Sequence, residues 1–124
     1  MSGKVVRLGA GMAFWGDSVR PAIEMVERGD IDYLCCDHLA ELTMSILAKQ
    51  RAANPERGYT RDVIDLLRGA LPACVEKGVK VVTNAGGANP RAAARAIRAL
   101  PLTAEEIDGI LGDNLARLLG LQTA

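Results

Sequence analysis

Three short apolar runs alternate along the chain with longer amphipathic segments. The runs cover residues 5–8, 31–36 and 79–83, and each has a glycine close to one end. Short apolar runs bounded by turn residues are typical of strands covered on both faces, as in parallel sheets. The pattern therefore predicts three buried β-strands, the first of which ends before Gly9.

The amphipathic segments between these runs predict helices. They cover residues 17–28, 38–52, 60–77, 90–100 and 103–120. Asp17 is a suitable N-cap for the first helix. The second, over residues 38–52, is apolar over much of its circumference, which predicts a well-buried helix. Pro72 is expected to kink or break the third.

The predicted order is β-α-β-α-α-β-α-α. Strands separated by helices need crossover connections, which implies a parallel sheet with right-handed crossovers. We therefore predict one Rossmann-like α/β domain over residues 1–124, with a three-stranded parallel sheet and an extra C-terminal helix. We expect strand order 2-1-3, with a crevice between strands one and three. Two open sheet edges predict a homo-oligomer or a partner subunit that covers them.

Composition narrows the class of protein. Apolar residues make up 49% of the 124 residues, and 15 basic residues balance 15 acidic ones. Without a basic excess, neither nucleic acid nor a membrane surface is an expected partner. No apolar run approaches the roughly 18 residues of a membrane span, and residues 1–7 lack the layout of a secretory signal. Three cysteines, an odd number, fit a reducing compartment, so the cytoplasm is the expected location.

Ligands of open parallel sheets bind outside the carboxyl ends of the strands. At the first strand end, Gly9 and Gly11 offer backbone N–H groups to an anion, and Asp17 follows them. Phe14 occupies the place of the third glycine in the dinucleotide fingerprint, so no nucleotide cofactor is expected. Phe14 and Trp15 either line an apolar ligand pocket or plug the top of the sheet.

The third strand end is the strongest candidate for a ligand site. Gly86 and Gly87 allow a ligand to approach the backbone closely, and Asn84 can donate to a developing oxyanion. Asn89 precedes a helix whose N-terminus favours an anion. The alternative is a tight strand-to-helix turn with Asn89 as a plain N-cap.

The second strand end supplies candidate acid–base groups. Asp37 and His38 lie where the strand meets its helix, and a carboxylate of Asp37 or Glu41 can tune the imidazole. The alternative is Asp37 as a helix cap and His38 as a surface residue of the first turn. Cys35 and Cys36 point to opposite faces of a strand and cannot share a metal, so no metal site is expected and both are interpreted as core residues.

Residues 5–99 resemble the N-terminal part of the acyclic terpene utilisation (AtuA) family. The resemblance lies in V-R-L-G-A-G-M-A-F-W-G-D (6–17), D-Y-L-C-C-D-H-L-A-E-L-T-M-S-I-L-A-K-Q-R (32–51), G-Y-T-R-D (58–62) and V-K-V-V-T-N-A-G-G-A-N-P (79–90). It implies a role in the bacterial breakdown of citronellol- and geraniol-type compounds through CoA thioesters. Family members are longer and continue with further α/β units.

Residues 100–121 resemble instead the C-terminal helix of amidohydrolase-type metal-dependent hydrolases, without their His-x-His ligand pattern. A fragment, a natural fusion and a chimera all fit this junction. The leading hypothesis is a domain that binds a small carboxylate or acyl-CoA at the strand ends, with Asp37, His38 and Asn84 as catalytic groups. The alternatives are a non-catalytic interaction module and, third, a hydrolase.

Overall fold

The computed structural model describes residues 3–104 as three strands and four helices. They are β1 (Leu8–Met12), α1 (Arg20–Arg28), β2 (Tyr33–Cys36), α2 (Glu41–Ala53), α3 (Asp62–Lys77), β3 (Lys80–Thr83) and α4 (Pro90–Arg98). The predicted α/β class with a three-stranded parallel sheet is confirmed. Most of the predicted last helix, over residues 103–120, lies outside the described residues. Within residues 3–104, no helix is both long and apolar enough to cross a membrane.

The strand order is β1-β2-β3, with β2 in the centre and both pairings parallel. The predicted order 2-1-3 was therefore wrong. Because β2 separates β1 from β3, the predicted crevice between these two strands does not exist. Met12, Cys36 and Thr83 are aligned across the sheet. All three carboxyl ends consequently meet at one edge, where the end of β2 occupies the middle.

The strand order also decides where the helices pack. When consecutive strands progress in one direction, right-handed crossovers place the connecting helices on the same face of the sheet. Accordingly α1 packs against β1 and against α3. Gly69 of α3 lies so close to Ile23 that a Cβ on Gly69 would be 2.4 Å from its Cδ1. Beneath these helices, Leu34 and Val81 are buried in the core.

The opposite face of the sheet is only partly covered. Leu8 is 58% exposed, and Ala10 is also exposed. Ala10 is aligned with Cys35 and Val82, which are both partly exposed. The expectation of strands covered on both faces was wrong for the described residues. An order of 2-1-3 would have sent helices to both faces, whereas the observed order concentrates α1 and α3 on one.

Strand β1 begins later than predicted, and Gly9 and Gly11 lie inside it. Pairing with β2 is irregular between Ala10 and Met12, on either side of Gly11. A Cβ on Gly9 would lie 2.4 Å from Met25 Sδ, and one on Gly11 would lie 2.9 Å from the Cβ of Ala22. The two glycines therefore allow α1 to pack closely on the sheet.

Helix α2 lies at the periphery, contrary to the prediction of a well-buried helix. Leu47 is its buried residue, while Leu42 is 73% exposed and Met44 and Ile46 are also exposed. The even distribution of apolar residues around the helix indicated burial. In the folded chain, however, the helix packs against its neighbours mainly through the side that carries Leu47. That side meets the turn after β3, where a Cβ on Gly87 would lie 2.5 Å from Leu47 Cδ1.

Helix α3 continues through Pro72 to its end at Lys77, so the predicted break does not occur. Pro72 lies on the exposed side of the helix. The helix ends at Gly78, whose φ of 70° is in the left-handed region that glycine adopts without a Cβ penalty. The Nζ of Lys77 reaches back to α1 and donates to carbonyl oxygens at its C-terminal end.

Candidate functional site

A hydrogen-bonded pair of polar side chains lies where β2 and β3 end. The Nδ2 of Asn84 donates to Oδ1 of Asp37 at 2.7 Å. The backbone N–H of Leu39 donates to the same oxygen at 3.1 Å. Both Asp37 and Asn84 are exposed. The structure therefore brings together two of the three catalytic residues predicted from the sequence and presents them to solvent.

Hydrogen bonding keeps Asp37 charged. Donation from the Asn84 amide, followed by that from the Leu39 N–H, lowers the pKa of Asp37 below its usual value. The carboxylate is therefore ionised at neutral pH. Its Oδ2 forms no side-chain hydrogen bond within the described part of the chain, so it can accept a proton or a hydrogen bond from a bound molecule.

The backbone of His38, the third predicted catalytic residue, connects all three strand ends. Its N–H donates to Oδ1 of Asn84 at 2.8 Å, beyond β3. Its carbonyl oxygen accepts from the N–H of Trp15 at 3.1 Å, in the loop between β1 and α1. Alongside, the Asp37 N–H donates to the Met12 carbonyl at 3.0 Å. The orientation of the Asn84 amide toward Asp37 thus depends on the position of His38.

The imidazole of His38 is wholly buried beside a carboxylate that sequence reasoning missed. Its Nδ1 lies 3.4 Å from Oδ1 of Asp62, within ion-pair range but not in hydrogen-bond geometry. The other Asp62 oxygen accepts from the N–H of Gly16 at 2.9 Å. The sequence offered Asp37 and Glu41 as partners of His38. Asp62 looked like an ordinary acidic residue in a first helical turn, and no local motif joins it to His38.

Asp62 is charged despite its partial burial. Burial raises the pKa of Asp62, but interactions with His38, with the Gly16 N–H and with Thr60 together outweigh that effect. The net result is a pKa below the usual value for an aspartate. An anionic carboxylate therefore faces the imidazole from the start of α3.

The loop between β1 and α1 contains the predicted aromatic residues. Phe14 is 55% exposed, while Trp15 is partly buried and bound to His38 through its backbone. Asp17 accepts from the N–H groups of Ala13 at 3.2 Å and Ser18 at 2.8 Å. It therefore closes this loop, and the prediction that it caps α1 was wrong because that helix begins later, at Arg20.

Asn89 supports the turn between β3 and α4. Its Oδ1 accepts from the Ala92 N–H at 3.3 Å, which confirms the N-cap interpretation. Its Nδ2 donates to the carbonyls of Pro55 and Arg57, both at 2.7 Å. Both polar atoms of this buried side chain thus hold the turn in place. A direct ligand contact of Asn89 stays a prediction.

The two glycines of this turn differ in what surrounds them. Gly87 has a φ of 50° and lies against α2, whereas Gly86 lies against Pro90, 3.0 Å from where its Cβ would be. The turn is tight, and it carries Asn84 at its beginning. Close packing explains why Gly86 and Gly87 have no side chain. The same reason applies to Gly9 and Gly11, which lie within β1 under α1. Ligand binding by the four glycines stays a prediction.

Basic residues adjoin the turn after β3. Arg51 donates from Nη1 to the carbonyl of Ala88 at 2.7 Å. The Gly58 carbonyl accepts from the Ala88 N–H at 2.9 Å, which brings the preceding loop to the turn. Arg57 and Arg61 flank that contact in sequence and are exposed. Arg51 is therefore a basic side chain in direct contact with this turn.

The cysteines have no features of a reactive site. Burial raises the pKa of Cys36 to about 12 and that of Cys74 to about 11, and both thiols belong to the core. Burial also raises the pKa of Cys35, which is partly exposed. Among residues 3–104, no group of three or more His, Cys, Asp and Glu side chains is arranged to hold a metal ion.

The fold and site together define a small parallel α/β domain with a carboxylate–amide pair at the carboxyl edge of its sheet. Residues 6–119 match the family model described as acyclic terpene utilisation family protein AtuA. The chain belongs to this family, which links it to acyclic terpene utilisation. The match runs past residue 99, and the resemblance of residues 100–121 to amidohydrolases finds no support in it. Searches of curated proteins and of solved structures found no match.

Proposed function

We propose that this domain binds an acyl-CoA thioester derived from an acyclic terpene, with its acyl carbonyl at the Asp37–Asn84 pair. The observation that carries the proposal is the geometry of this pair. One amide hydrogen of Asn84 is used by Asp37, and the exposed amide has a second hydrogen to donate. A carbonyl oxygen is a suitable acceptor for that hydrogen.

The charge of Asp37 favours a thioester over a free carboxylate. Asp37 is ionised at neutral pH, as aspartates usually are, and its lowered pKa keeps it so in the site, next to the donor of Asn84. A carboxylate ligand would be repelled by this charge, whereas a neutral thioester carbonyl would not. The exposed ring of Phe14 offers apolar surface for the acyl chain. The basic border formed by Arg51, Arg57 and Arg61 offers partners for the CoA phosphates.

Any reaction at this site would involve proton transfer. Oδ2 of exposed Asp37, which has no side-chain hydrogen bond among residues 3–104, is an acceptor next to the proposed carbonyl position. His38 is the chain's only histidine, and its backbone N–H donates to Asn84 of the pair. These two residues supply the acid–base groups of the proposal. Asn84 supplies the donor to the carbonyl oxygen.

A thermal-shift experiment on the full chain tests this function. Octanoyl-CoA, CoA alone and octanoate serve as probes, with Asn84→Ala as the site variant. Asn54→Ala is the matched control, because Asn54 makes a local contact with the Glu56 N–H in an exposed loop. Octanoyl-CoA at about 100 times its Kd should stabilise wild type and control by about 2.7 kcal/mol.

The expected order of stabilisation is octanoyl-CoA first, CoA second and octanoate last. In Asn84→Ala the response to octanoyl-CoA should fall to that of CoA alone. An absent wild-type response, or equal responses of the three proteins, would contradict binding at this pair.

A second candidate function is that of an interaction module without turnover. The observation that favours it is the partly uncovered sheet face that carries Leu8 and Ala10, together with the exposed apolar residues of α2. Parallel sheets usually have both faces covered. On this proposal a second copy of the chain covers the open face.

Light scattering on the full chain tests the second candidate. Wild type should be a dimer, and Ala10→Arg should be a monomer because it places a charge on the open face. Val75→Arg, at an exposed apolar position of α3 on the other side of the sheet, is the control and should remain a dimer. A monomeric wild type excludes this candidate. The hydrolase alternative depended on residues 100–121, most of which lie outside the described range.

A further inference from the structure

Three polar side-chain atoms of His38 and Asp62 are buried in the interior. Within the described residues, Nδ1 and Nε2 of His38 and Oδ1 of Asp62 are buried without hydrogen-bond partners. Buried polar groups are nearly always paired, since an unpaired one has lost its hydrogen bonds to water without a replacement. Two of the three, Nδ1 and Oδ1, are 3.4 Å apart and can satisfy each other. The remaining atom is Nε2.

We infer that Asp62 is a positioning residue, which holds the proton of neutral His38 on Nδ1 and leaves Nε2 as an unprotonated acceptor. A carboxylate only accepts hydrogen bonds, and neutral imidazole carries one N–H, so a carboxylate facing Nδ1 selects the Nδ1–H tautomer. The inference rests on the proposed function for its catalytic meaning, because it names Nε2 as the atom that exchanges a proton with the ligand.

The position of Asp62 is fixed independently of His38. It begins α3, and its Oδ2 accepts from the Gly16 N–H at 2.9 Å. Only Oδ1 is left to face the imidazole. Charge-assisted hydrogen bonds of this kind are about 2.7–2.9 Å long, so a small rotation of either side chain closes the observed 3.4 Å.

The consequence for the site is a stabilised imidazolium. When Nε2 takes a proton from the ligand, the bonding electron pair stays on the ligand atom and the new positive charge faces Asp62. The ring is wholly buried, so a ligand must displace part of its cover to reach Nε2. The loop that carries Trp15 and Gly16 is hydrogen-bonded to His38 and to Asp62, and it would move with such a step.

The single histidine of the chain makes this inference directly testable. The full chain, labelled with ¹⁵N-histidine, gives one set of imidazole resonances, whose shifts report the tautomer of the neutral ring. Wild type should show the Nδ1–H form. Asp62→Ala should move the equilibrium toward Nε2–H, the form that water favours. In Asp62→Asn the one acceptor oxygen stays with the Gly16 N–H, so the amide NH2 faces Nδ1 and should also favour the Nε2–H form.

Asp65→Ala is the control, because Asp65 lies on the same helix but is exposed and paired with Arg68 at 3.2 Å. In Asp65→Ala, His38 should have the same tautomer as in wild type. An Nε2–H tautomer in wild type, or one that is the same in wild type, Asp62→Ala and Asp62→Asn, would overturn the inference. The readout needs no ligand, so a missing response to octanoyl-CoA would count against the proposed function and leave the positioning role of Asp62 standing.

Discussion

Asn84 is bound to two consecutive residues of another strand end: its Nδ2 donates to Asp37, and its Oδ1 accepts from the backbone N–H of His38. The distances are 2.7 and 2.8 Å. One amide side chain therefore fixes the end of β3 against the end of β2. Because Asn84 is exposed, this arrangement also leaves the amide accessible from solvent.

Replacing Asn84 by alanine should destabilise the fold as well as the site. The His38 N–H is partly buried and would lose its acceptor, which costs about 1–3 kcal/mol. Urea unfolding at neutral pH measures this change. The Asn54→Ala control loses an exposed local contact and should change by about 0.5 kcal/mol or less. Equal losses in the two variants would show that the bond to His38 is not special.

The hydrogen bonds of Asp37 predict a pH-dependent stability. Since its pKa is lowered in the folded chain, the folded state holds the proton less tightly than the unfolded state. The stabilisation from Asp37 is complete above its pKa in the unfolded chain, about 4. It is lost as the pH falls through its pKa in the folded chain. The difference in urea midpoint between wild type and Asp37→Asn should therefore shrink between about pH 6 and pH 2. A difference that stays constant over this range argues against the prediction.

Most helices and strands could be predicted from the sequence because local signals set them. The turn residues before β2 and β3 indicated both strands, and Pro90 marked the start of α4. The strand order could not be predicted in this way. It depends on which strands pair over long sequence distances, and the wrong order carried with it a wrong crevice and a wrong expectation about the open face.

The site was predictable in part for the same reason. Parallel strands place their ends together, so the proximity of Asp37, His38 and Asn84 was predicted from position alone, while their catalytic role stays a prediction. Asp62 was not, because its proximity to His38 results from packing of α3. The glycines of β1 are a different case. The sequence indicated a ligand cradle, and the structure adds a packing role, since Ala22 lies close to Gly11. Ligand binding by these glycines stays a prediction.

Gly11→Ala separates these two interpretations of the β1 glycines. The added Cβ would lie within 2.9 Å of atoms of Leu34, Ala22 and Cys36, so overpacking should cost about 1–3 kcal/mol in urea unfolding. Gly3→Ala is the control, because nothing lies within 4 Å of its Cβ position. Below the unfolding transition, Gly11→Ala should bind octanoyl-CoA like wild type. Lost binding with unchanged stability would favour the cradle instead.

Lys77 provides a test of how α1 is held against α3. Its Nζ donates to the carbonyls of Val26, Glu27 and Gly29 at 2.9, 2.7 and 3.2 Å. The last carbonyls of a helix lack intrahelical partners, and a cation there also interacts favourably with the helix dipole. Lys77→Met keeps much of the apolar stem but removes all three bonds, so we expect a loss of about 1–2 kcal/mol in urea unfolding.

The loss should be local as well as global. Amide hydrogen exchange should accelerate at the C-terminal end of α1, because its carbonyls lose their shared donor. Lys49→Met, on the exposed surface of α2, removes the same charge and serves as the control, with a change of about 0.5 kcal/mol or less. If both lysine variants lose the same stability, the effect arises from net charge, and Lys77 does not hold the two helices together.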